Sequence, residues 1–151
     1  MLRSMSLAAA CALAAAVPTH AADSIYVTTP VVHKTQKVSQ AATPKEYRVD
    51  VARHIYESYP TRIYKGRLPP LIHAVVVVET TVDGQGMPRD MKVVRGPSHA
   101  PDVTAAVQEM TRLASPLPIP ARLSGGVKYT EIWLVNKDGR FQLDALTEGQ
   151  N

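Results

Sequence analysis

Cys11 is the only cysteine in the chain. It sits in the first stretch of sequence, so a disulfide framework is excluded and the domain has to hold together by its core. Aromatic residues are few: one tryptophan, one phenylalanine and six tyrosines. No apolar run reaches the roughly 20 residues that a membrane-spanning helix needs. Lys and Arg are interspersed with Asp and Glu, with no clustered basic stripe. A net charge of +4 therefore reads as a solvated basic surface, and no nucleic-acid partner is expected. There is no internal repeat and no low-complexity tract.

The signatures of common chemistry are also missing. There is no Gly-x-Ser-x-Gly elbow, no phosphate-binding loop and no dinucleotide fingerprint. His33, His54, His73 and His99 are about twenty or more residues apart, so no pair has the short spacing of a metal-ligand motif. His54 reads as a residue on the flank of a helix. Glu79 and Glu131 could be drawn as a catalytic carboxylate pair, but lone strand carboxylates are ordinarily solvated or paired with Lys or Arg. No catalytic residue, cofactor or metal is expected, and the chain reads as a non-enzyme.

What is present begins with a leader. Arg3 gives a positive start, Met5 to Val17 is small and apolar, Pro18 breaks the run, and Thr19-His20-Ala21 ends in small residues. Residues 1–21 are expected to be a signal peptide cleaved near Ala21, which places the mature protein in the periplasm. Cleavage would remove Cys11 and Arg3 and lower the net charge to +3. Ala22 to Ala42, rich in Thr, Gln, Ser and Lys, reads as a flexible tether or a loosely docked strand.

Residues 43–151 read as one domain. Thr43, Pro44 and Glu46 form the start of a helix, with Thr43 as N-cap and Glu46 closing a capping box. Tyr47, Val51, Ile55 and Tyr59 recur every four residues and define its buried stripe, which Pro60 ends. Gly66 to Pro70 reads as a rigid turn. Leu71 to Val82 is a β-branched strand that closes on Asp83-Gly84. Ile72, Ala74, Val76, Val78 and Val82 share one face. Val75 and Val77 lie on the other, which must be covered or meet a partner. Asp90 to Arg95 is the return strand. Pro101 opens a second helix with Val103, Val107, Met110 and Ala114 as its stripe, and Pro116, Pro118 and Pro120 stop it. Val127 to Asn136 is a further strand, and a two-residue turn at Asp138-Gly139 leads into a last one carrying Phe141, Leu143 and Ala145. The expected fold is α+β: an antiparallel sheet of three to four strands with two helices packed on one face.

The order from Tyr59-Pro60 and Gly66 through Asp83-Gly84, Met91 to Arg95, the helix from Pro101 to Ala114, Leu117-Pro118 and Tyr129 to Val135 resembles the C-terminal domain of the TonB family of periplasmic energy transducers. TolA-like domains are more distant relatives. The resemblance covers about 90 residues, and rests on order and spacing more than on any one motif. It implies a non-catalytic module that binds an envelope protein or an extended peptide, such as a segment of an outer-membrane transporter. The peptide would add a strand to the edge of Val127, Tyr129, Glu131, Trp133 and Val135. Transducers of this family keep an uncleaved membrane helix and a long proline-rich spacer. Here Ala22 to Ala42 has one proline and reaches at most about 70 Å, so the mature domain is not expected to transmit force alone. The last strand is expected to pair with Val127 to Asn136 and so cap the peptide edge. The alternative is a structural protein that self-associates, with Val75 and Val77 as the candidate homodimer face.

Overall fold

The computed structural model describes residues 26, 28–33 and 35–149; the expected leader and its cleavage site lie outside them. The fold is α+β. Its elements are β1 (Val38–Ser39), α1 (Pro44–Ser58), β2 (Ala74–Val82), β3 (Pro88–Arg95), α2 (Pro101–Leu113), β4 (Ile119–Pro120), β5 (Val127–Val135) and β6 (Phe141–Leu143). Four strands form an antiparallel sheet in the order β3-β2-β5-β6, and β1 and β4 form a separate parallel pair. In β2 every second residue from Ala74 to Val82 is buried, and in β5 every second residue from Val127 to Val135. Helix α1 packs against β5, and α2 against β2 and β3, on that buried face.

The start of α1 follows from its first residues. Thr43 Oγ1 accepts the Glu46 N–H, and the Glu46 carboxylate accepts the Thr43 N–H in return. Two orphan donors of the first turn are thereby satisfied. Tyr47, Val51, Ile55 and Tyr59 are all buried, as their spacing predicts. The Tyr47 hydroxyl donates to Pro118 O and that of Tyr59 to Met110 O, each at 2.7 Å. Burial pushes both phenols well above their ordinary pKa. His54 is not on a flank: it is buried, and its Nε2–H donates to Ala114 O at 2.8 Å.

Both hairpins turn on an aspartate and a glycine, through three-residue loops rather than the two-residue turn expected at Asp138-Gly139. Asp83 N–H donates to Met87 O across the first, and Asn136 N–H to Arg140 O across the second. The left-handed position falls on Gly86 and Gly139, with φ of 80° at each, as three-residue loops require. Gly86 has a second reason to be glycine, since a Cβ there would lie 2.1 Å from Leu117 O.

The stretch before Thr43 lies against the domain where it is described. Val31 N–H donates to Ser58 O at 2.8 Å, and Ile119 N–H to Lys37 O at 2.8 Å, which seats β1 beside β4. The expected strand from Leu71 is shorter, starting at Ala74, and Leu71 is exposed. The last strand is shorter too. It ends at Leu143, and Asp144–Leu146 forms a 3₁₀ turn that carries Ala145 off the ladder. Gln142, a polar position that strict alternation would expose, is buried. Its amide donates to Tyr64 O and Gly66 O, at 2.9 and 2.6 Å, and its carbonyl accepts from Thr147 and Glu148.

Candidate functional site

The outer edge of β5 is where the sheet is incomplete. β6 pairs only with Trp133, Leu134 and Val135. Because Asn136 N–H faces Arg140, strand alternation aims the main-chain groups of Leu134, Ile132, Thr130 and Lys128 to the same side. Leu134 meets Gln142 there. Beyond it, no described strand pairs with Ile132, Thr130 or Lys128 on that side.

A side chain takes over where β6 leaves. The Ile132 N–H donates to Glu131 Oε1 at 2.9 Å, and the Ala145 N–H reaches the same oxygen at 3.4 Å. Arg48, from the first turns of α1, donates to it through Nε at 3.1 Å and Nη2 at 2.8 Å. Arg48 Nη2 also pairs with Asp144 at 2.6 Å. Glu131 is 4% exposed, and its Oε2 is buried without a hydrogen-bond partner. Burial raises the Glu131 carboxyl above its ordinary range, against the opposing pull of Arg48 and the two N–H donors. Next to this cluster, Lys128 and Thr130 are exposed.

The opposite edge of the sheet is defended. β3 starts at Pro88, carries Arg89, Asp90, Lys92 and Arg95, and pairs with β2 through two register shifts. Gln108 from α2 donates to Met91 O at 3.1 Å. Proline, charge and irregular pairing are the features that discourage strand addition. A partner strand therefore meets less opposition at β5.

The structure brings Val127, Tyr129, Glu131, Trp133 and Val135 together on one face of β5, with all five side chains buried in the core. What the edge offers is the main chain of Lys128 to Ile132, not those side chains. Val75 and Val77 are half-buried on the other face, directly across from Leu134 and Ile132. Glu79 and Glu131 do not meet: Glu79 lies on that outer face beside Lys128 Nζ, 3.5 Å away, while Glu131 faces Arg48. Among the described residues, no group of three or more His, Cys, Asp or Glu is gathered so as to hold a metal ion.

Arg48 and Asp144 escaped the sequence reading. Arg48 is one charge on a helix flank, 83 residues from Glu131, and no local pattern links them. The position of Glu131 among apolar residues, on the inward face of a strand, was the available signal that it needs a cation. No family model matches the chain, and neither a curated protein nor a solved structure matches it.

Proposed function

We propose that this chain is an exported, non-catalytic binding module of the TonB C-terminal kind, which takes an extended segment of an envelope protein as an added strand on β5. The observation that carries this reading is the short β6, which covers three of the nine β5 residues and leaves the outer side of Lys128 to Ile132, the side away from β2, without a strand partner. The last strand is thus a partial cap. Main-chain hydrogen bonds would supply affinity, and the half-buried face around Ile132 would meet alternate side chains of the incoming segment. The family part of this reading rests on the order and spacing of the sequence from Tyr59-Pro60 onward. With a cleaved leader and a short tether, the module would bind without transmitting force. A homodimer through the face of Val75, Val77, Ile132 and Leu134 is the second reading, favoured by the half-burial of four apolar residues outside the core.

Titration with a synthetic peptide from the periplasm-facing segment of an outer-membrane transporter tests the edge. The amide resonances of Lys128 and Thr130 should shift most. Thr130→Pro removes an edge N–H that the ladder does not use, so the fold should survive and binding should be lost. Shifts confined to β3 or to the Val75 face, or full binding by a folded Thr130→Pro variant, would refute strand addition at β5. For export, intact-mass analysis of periplasmic protein should give a chain beginning near Ala22. A full-length species retaining Met1 would instead support an anchored transducer.

A further inference from the structure

We propose that a small pocket between residues 30–33, Gln36 and the C-terminal ends of α1 and α2 binds a first-row transition-metal cation through the Nδ1 atoms of His33 and His54. The pocket has a volume of about 90 Å³. Docking of Val31 on Ser58 brings His33 over α1, and the two imidazole rings lie 4.7 Å apart at 41°.

The hydrogen bonds around the rings settle which nitrogens are available. A carbonyl can only accept, so His54 donates through Nε2 to Ala114 O at 2.8 Å. The Ser58 hydroxyl donates to His54 O at 2.8 Å, so its oxygen is left to accept from His33 Nε2, 3.1 Å away. Each ring therefore carries its proton on Nε2 and its lone pair on Nδ1. Fixing one ring nitrogen by a hydrogen bond so that the other can ligate is the usual arrangement around metal-bound histidine. His54 is 3% exposed, and its Nδ1 is buried with no partner. A buried acceptor left unpaired is costly, and a cation at this position relieves it.

Ring spacing restricts the geometry. With metal–nitrogen bonds of ~2.0–2.1 Å, each ring centre lies ~3.2 Å from the metal, and a 4.7 Å separation corresponds to an angle of ~95° at the cation. The two histidines would then fill adjacent positions and leave the remainder to solvent. A linear two-coordinate ion would need ring centres ~6.4 Å apart and does not fit. Two imidazoles with open positions suit copper(II), nickel(II) and zinc(II), with copper bound most tightly.

The experiment uses tag-free, metal-stripped protein titrated with copper(II), nickel(II) and zinc(II) salts at neutral pH by calorimetry. One site per chain is expected, with copper strongest, and with nitrogen hyperfine structure in the copper spectrum. His33→Ala removes a partly exposed ring, so the variant should stay folded and lose more than about tenfold in affinity. His54→Gln should do the same. His73→Ala and His99→Ala alter the other close pair of rings, 5.4 Å apart, and should change nothing. The proposal is overturned by an absence of binding, which would leave a water-filled pocket, by undiminished binding to His33→Ala, or by loss of the site in the His73 or His99 variants.

Discussion

Arg48→Ala is expected to destabilise the protein by about 3 kcal/mol at neutral pH, the low end of the range for breaking a buried ion pair. The low end applies because the Arg48 side chain is 24% exposed, whereas that of Glu131 is 6% exposed. Without the guanidinium, Glu131 would stay on the inward face of β5 with one oxygen already unpaired. The loss should depend on pH. Burial raises the folded-state pKa of Glu131 above its unfolded value, and removing Arg48 raises it further. The folded state then prefers the protonated acid. That contribution is fully present below the unfolded value of about 4.5 and is lost as pH rises through the folded value. Denaturant unfolding at neutral and acidic pH should therefore show a smaller deficit in acid. Glu131→Gln in the Arg48→Ala background should recover part of the loss, since a neutral carbonyl can still accept from Ile132 and Ala145. A deficit equal at both pH values and untouched by Glu131→Gln would mean that Arg48 acts by packing alone.

Trp133→Ala is expected to cost about 3–5 kcal/mol, the range for truncating a buried aromatic. Trp133 is 3% exposed, and its ring lies 4.7 Å from that of Phe141. It thus holds the three-residue β6 on the sheet, and thermal melting should fall by roughly 10 °C or more. Amide exchange should quicken first at Gln142 and Leu143, because their strand loses its main apolar contact. Tyr59→Ala should cost a similar amount, since Tyr59 is 1% exposed and ties α1 to Met110 of α2. A variant of either residue that melts like the wild type yet loses partner binding would place that residue in a binding site instead of the core.

The buried side of Trp133 was legible because period two along Val127 to Val135 leaves no other face for Tyr129, Trp133 and Val135. The same alternation was misleading at Gln142 and Ala145. There the chain is held by the 64–66 loop and by Arg48 on Asp144, which lie far away in sequence, and by Glu131 on the neighbouring strand. The strand Val127 to Val135 and its pairing with the last strand could be read, but not that β6 covers only Trp133 to Val135 and leaves the outer side of Lys128 to Ile132 unpaired.

By itself the sequence determined the two helices, the capping box of the first, the prolines that open them, a β-branched strand ending at Val82 and the place of the glycine turns. Each is decided by interactions within a few residues: a side chain on a neighbouring N–H, a blocked φ, or a repeat of 2 or 3.6. Only the tertiary structure decided where β6 stops, that Glu131 is paired with Arg48, that Val38–Ser39 lies beside Ile119–Pro120, and that His33 rests on His54. These depend on how finished elements are set against one another. Partners 21 to 83 residues apart leave no periodic trace, because packing of the whole core brings them together.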